Sequence, residues 1–142
     1  PKQVHHSMVN HIDLAPTLLD YAGLDIPADI QGHSLRGILE GKEKKVRNET
    51  YYHFYQHGNT LPEMIGIRTE THKLIHYPTM EGKYQWELFD LVNDPEEMNN
   101  IYHQLKHIKL RQAMIGRLRK LIRDVGDPVD TPNLINQQRV SV

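Results

Sequence analysis

Cysteine is absent from these 142 residues. That excludes a disulfide frame, a thiolate metal site and a thiol nucleophile. A run of 18 apolar residues is also missing, so no segment reads as a membrane-spanning helix. Charge of one sign is missing as well: the net charge is −1, which gives no global attraction to nucleic acid or to an anionic membrane. No signal peptide and no internal repeat are visible. The chain begins at Pro1 rather than at methionine, which suggests a processed protein or a piece of a longer one.

What is present fits a globular protein. Hydrophobic residues make up 38% and charged residues 25%. The length suffices for one ordinary domain that buries roughly two-thirds of its unfolded surface. Ten histidines are scattered along the chain rather than gathered in one tract.

Residues 4–9 read as a short strand or an extended lead-in. Leu14, Leu18, Tyr21 and Ala22 recur at helical spacing. Asp13 suits the N-cap of that helix, Pro16 its first turn and Gly23 its C-terminal stop. Ser34 caps a second, short helix over 35–40 that ends at Gly41. The charged run 42–45 marks a boundary. Beyond it come four β-forming stretches, at 50–55, 65–69, 73–77 and 86–91, with the middle two arranged as a hairpin. Strands in succession with short connections predict an antiparallel sheet.

At the end of the fourth strand, Asp94, Pro95 and Glu97 have the spacing of a helix start with a capping residue. A long helix is expected over roughly 105–125, with Ile108, Ile115, Leu118, Ile122 and Val125 on its apolar side and Gly126-Asp127-Pro128 as its stop. The predicted fold class is therefore α+β: about four antiparallel strands packed by a long C-terminal helix.

Three segments together resemble the C-terminal third of a type I, formylglycine-dependent sulfatase of the alkaline-phosphatase-like superfamily. They are Asp13 to Gly23 with Gln31-Gly32-His33-Ser34-Leu35 behind it, Gly66 to Ile75, and Trp86 to Asn100. The strand Tyr51-Tyr52-His53-Phe54-Tyr55 is most similar to members that desulfate amino sugars of glycosaminoglycans, such as glucosamine 6-sulfatases. The resemblance implies that residues 1–45 are helical remnants at the end of a larger α/β domain and that 46–142 form a small C-terminal subdomain. It also implies a parent that hydrolyses sulfate esters on a sulfated sugar, through a formylglycine hydrate and a divalent metal, calcium by family habit.

The Cys/Ser-x-Pro-x-Arg motif from which formylglycine is made does not occur here. No catalytic or metal-binding residue of the family is placed on this chain, and by itself it is expected to be inert. Its partners would be the N-terminal catalytic domain of the same polypeptide and a sulfated carbohydrate, with neither nucleic acid nor membrane. Family habit puts the parent in a periplasmic, extracellular or lysosome-like compartment.

Four residues are candidates for substrate contact. Three are His53, Tyr55 and His57: if residues 50–57 stay extended, they share one face with Tyr51, and imidazole and phenol groups suit sugar hydroxyls and sulfate oxygens. Arg68 is the fourth, because a guanidinium binds sulfate in a fork. Each also has an ordinary reading: aromatic packing with surface histidines for the first three, a cross-strand ion pair for Arg68. His103 and His107 have metal-compatible spacing, but no third ligand is evident.

Two competing readings concern other chemistry. Lys106, Lys109, Arg111, Arg117, Arg119, Lys120 and Arg123 make the last helix basic, with no acid between Met98 and Arg123. A non-enzymatic module would use this helix to bind a polyanion, although the cations do not read as a single stripe. In the other reading, the parent is a phosphatase or phosphodiesterase of the same superfamily.

Overall fold

The computed structural model describes residues 4–55, 61–80, 82 and 85–128. These divide into two compact units. The first holds the described residues up to Thr50 together with Arg68–His72, and the second holds those of 51–67 and those from Lys73 onward.

In the first unit the chain enters without regular structure, makes a 3-10 turn at His11–Asp13 and continues into α1, Leu14–Tyr21. Pro16 falls in the first turn, where its missing N–H is not needed. Gly23 adopts φ +68°, and the Leu24 N–H reaches back 3.0 Å to the Leu19 carbonyl, closing the helix as its glycine predicts. The short α2 spans Arg36–Leu39. Ser34 Oγ accepts from the Arg36 N–H at 3.2 Å and donates to Asp20, so this serine joins α1 to α2.

Asp13 does not act as a side-chain cap for α1. Its carboxylate is fully buried and accepts from the Asn10 N–H at 2.7 Å, the His33 N–H at 2.9 Å and both ends of the Arg47 guanidinium at 2.5 Å. Burial opposes the charge on Asp13, but Arg47 and the two backbone N–H groups outweigh it and hold the carboxyl down at about 2. Thr17 extends the network, donating to the Asp13 carbonyl and accepting from the Leu35 N–H. Gly32 is required here, since a Cβ on it would lie 1.9 Å from the Ile12 carbonyl oxygen.

The sheet has four strands in the order β1 (Glu49–Phe54), β2 (Met64–Thr69), β3 (His72–His76) and β4 (Trp86–Asp90), all antiparallel. In the second unit, Ile65 and Ile67 alternate inward on β2, Leu74 does so on β3, and Trp86 and Leu88 on β4. The long helix α3, Ile108–Val125, follows a 3-10 turn at Leu105–His107 and lays Met114, Ile115, Leu118 and Ile122 on the same core. Tyr102 stacks on Trp86, and Trp86 stacks on the buried His76, whose imidazole burial holds down at about 4. The other face also has packing: Gly66 leaves the room that the Tyr52 ring fills.

The corner after β4 departs from the expected helix start. Asp94 accepts from the Met98 and Asn99 N–H groups, but no helix begins there, because Glu97 turns left-handed at φ +56° and ion-pairs with Lys73. The chain turns back to serve the sheet. Asn100 accepts from the Leu88 and Tyr102 N–H groups and donates to the Trp86 carbonyl, while the Ile101 N–H donates to the Leu88 carbonyl. The exposed edge of β4 is thereby covered.

Candidate functional site

β1 ends in a hydrogen-bonded cluster in the second unit. Strand alternation puts Tyr51 and His53 on one side. The Tyr51 hydroxyl donates to Asp127 Oδ2 at 2.9 Å, and His53 Nδ1 lies 2.9 Å from the same oxygen. His53 Nε2 lies 2.9 Å from Glu63 Oε1. The imidazole thus bridges Asp127 and Glu63 through its two ring nitrogens. Burial, followed by the Asp127 contact, pushes the Tyr51 hydroxyl well above its ordinary range, so it stays a donor. The Tyr55 ring lies over His53 with centroids 3.9 Å apart.

Asp127 reaches this cluster because α3 stops where it does. Gly126 takes φ +69°, and the Asp127 N–H bonds the Ile122 carbonyl at 3.1 Å. A carboxylate beyond a helix C-terminus faces the negative end of the dipole, and here Tyr51 and His53 offset that cost. The sequence marks Asp127 only as part of a helix stop, and Glu63 carries no signal of its own. For Asp127 the available signal was an acid directly after a helix-terminating glycine.

The four candidate contacts therefore have different surroundings. The His53 side chain is only 5% exposed and is engaged at both nitrogens, so it is part of the framework. Tyr55, 62% exposed, is the group of this cluster that faces solvent. Arg68 is exposed on β2, on the side turned away from Ile65 and Ile67, and it falls in the first compact unit. His57 lies outside the described residues. The arrangement offers an aromatic face backed by a fixed imidazole, which suits binding rather than bond cleavage.

Among the described residues, no three His, Asp or Glu side chains converge as a metal would need. No helix of the described residues is long and apolar enough to cross a membrane.

Together, the four-stranded antiparallel sheet, the long helix and the β1 cluster define an α+β sheet-and-helix module. A family profile described as N-sulphoglucosamine sulphohydrolase, C-terminal, matches residues 1–124, and the chain belongs to that family. It is 36% identical over 122 residues to an N-acetylglucosamine-6-O-sulfatase of Bacteroides thetaiotaomicron, covering 82% of this chain and 22% of that protein. The chain thus spans less than a quarter of that relative's length.

Among solved structures, a complex with the substrate D-glucosamine-2-N,6-O-disulfate superposes with a TM-score of 0.74 at 36% identity, over 82% of this chain and 24% of the other. The phosphonate monoester hydrolase of Agrobacterium radiobacter superposes with a TM-score of 0.66 at 26% identity, over 80% of this chain and 25% of the other.

Proposed function

We propose that this chain is the C-terminal part of a sulfatase that hydrolyses sulfate esters on a glycosaminoglycan-type amino sugar. The observation that carries this reading is the 36% identity to an N-acetylglucosamine-6-O-sulfatase across most of the chain. Residues 1–45 would close the large catalytic domain and 46–142 would form the small subdomain. The exposed Leu14 and Leu18 of α1 support a bracing contact with the preceding catalytic portion. Formylglycine and calcium would be supplied by that portion, and the chain alone would be inert. The compartment would be periplasmic, extracellular or lysosome-like, where sulfated sugars are met.

In this reading Tyr55 is the substrate contact of the β1 cluster, stacking on a sugar ring, and His53 holds it in place. His57 and Arg68 are further, independent contacts for sulfate oxygens. The test is sulfate release from N-acetylglucosamine 6-sulfate by the full polypeptide, alongside the 142-residue chain. Turnover is expected from the first and none from the second. Tyr55→Ala is expected to raise KM about tenfold, equivalent to about 1.4 kcal/mol of binding, with kcat little changed.

A second reading has a specific observation behind it, the likeness to a phosphonate monoester hydrolase. A parent that cleaves phosphonate or phosphate esters but no sulfate ester would favour it. So would the lack of a Cys/Ser-x-Pro-x-Arg motif upstream of Pro1.

A further inference from the structure

The cations of α3 are sorted by the fold. Arg111 is turned inward, with its guanidinium 4.9 Å over the Tyr102 ring and one nitrogen 2.9 Å from the Tyr102 carbonyl. Arg119 is half-buried. Lys109, Ala113, Gly116, Lys120 and Arg123 are all exposed, and they follow one another by steps of four, three, four and three. That is one line along a helix, opposite Met114, Ile115, Leu118 and Ile122. Three of the cations, Lys109, Lys120 and Arg123, thus share one line that their spread in the sequence did not reveal, and Arg117 is exposed to one side of it. At 1.5 Å per residue the line is about 21 Å long. Asp124, paired with Lys120, is the only acid from residue 98 to residue 125.

We propose that this stripe is a binding surface for a linear sulfated polysaccharide, distinct from the β1 cluster. The choice of a sulfated sugar polymer rests on the function proposed above; the polyanion character rests on the stripe itself. Its shape selects among polyanions. A duplex nucleic acid is broad and needs a wide basic patch, whereas this protein carries a net charge of −1 and a short row of cations along one helix. Single-stranded nucleic acid is held by stacking aromatics, and the stripe contains none. A narrow carbohydrate chain with charges along its length matches both features.

Gly116 adds to the argument. A glycine inside a helix costs about 1 kcal/mol relative to alanine, yet a Cβ there would meet nothing within 4 Å. Packing among the described residues does not call for it. With Ala113 it leaves low ground between the cations at the two ends, over which a polymer can lie close to the helix.

The experiment measures heparin binding by the full polypeptide across a salt series. The combined Lys109→Gln, Lys120→Gln, Arg123→Gln variant is expected to bind at least about tenfold more weakly, with a shallower salt dependence because fewer counterions are released. Gly116→Glu places an acid in the middle of the stripe in open space, so it tests the same surface without a packing change, and it is also expected to weaken binding. Lys109→Arg with Lys120→Arg is expected to bind as the unaltered protein does.

Unchanged heparin affinity in the first two variants would overturn the proposal. So would equally tight binding of single-stranded DNA at the same salt. Turnover of a monosulfated monosaccharide is expected to be equal in all forms. If no form hydrolyses it, the proposed activity fails, while the heparin measurements still decide whether the stripe exists.

Discussion

The first unit buries a carboxylate and exposes leucines; the second buries leucines and exposes cations. Among the described residues, Pro16 and Ile38 are the buried aliphatic side chains of the first unit, whose centre is Asp13 with Arg47, Thr17 and two backbone N–H groups. Its α1 instead turns Leu14 and the 70%-exposed Leu18 outward. The second unit follows the common pattern, with Ile65, Ile67, Leu74, Leu88 and Leu118 fully buried between sheet and helix. The two halves therefore depend on different forces. A buried ion pair contributes geometry more than net free energy, because its desolvation offsets much of its attraction. Apolar burial is nondirectional and large. This contrast teaches that the first unit is specified by a few directional contacts and the second by the sum of many weak ones.

Arg47→Met should produce the largest break in that contrast. It leaves the Asp13 carboxylate buried without its counterion, at an expected cost of about 3–5 kcal/mol. Amide hydrogen exchange should show protection lost in α1 and the 31–35 loop while β2, β3 and α3 stay protected. Uniform loss of protection in both units would contradict the comparison.

Acid should separate the units next, in the opposite order. Between pH 6.5 and about 4 the unfolded chain binds a proton at residue 76 that the folded chain refuses, so stability falls as pH falls through that window. The loss attributable to His76 is at most about 3 kcal/mol, from 1.36 kcal/mol per pKa unit. Asp13 behaves differently. Its contribution is complete above pH 3.8 and is lost only as pH falls toward 2. The second unit should therefore weaken first on acidification, and His76→Phe should flatten its stability profile between pH 6.5 and 4. Denaturant titrations at pH 7, 5 and 4 check both statements.

The smallest expected effect concerns the surface. Leu18→Lys should change unfolding free energy by less than about 0.5 kcal/mol, as exposed substitutions commonly do. It should nonetheless reduce self-association of the 142-residue chain in sedimentation velocity. A large loss of stability would mean that α1 depends on its apolar face within this chain.

Much of the architecture was legible because it is local. Alternation marked β1 to β4, the three-and-four repeat marked α3, and Gly23 and Gly126 marked helix ends through their positive φ. The corner at Asp94 was misread for a local reason too. An acid, a proline and a second acid make a good helix start, but the edge of β4 required Asn100 and Ile101 as partners, and that requirement prevailed. The site was less legible. Tyr51 and His53 were visible as a strand face, whereas their partner Asp127 lies 76 and 74 residues away.

Sequence alone determined the fold class, the order of elements and the family resemblance, because periodicity and turn chemistry act over a few residues. It also showed that no Cys/Ser-x-Pro-x-Arg motif occurs in these 142 residues. Only tertiary structure decided that Asp13 is an ion-paired core rather than a cap, that His53 is framework with Tyr55 its exposed face, and that seven scattered cations include one outward line. Each of those outcomes depends on which groups folding brings together and which it leaves in water. Desolvation and pairing are properties of that assembly, which no short window of sequence contains.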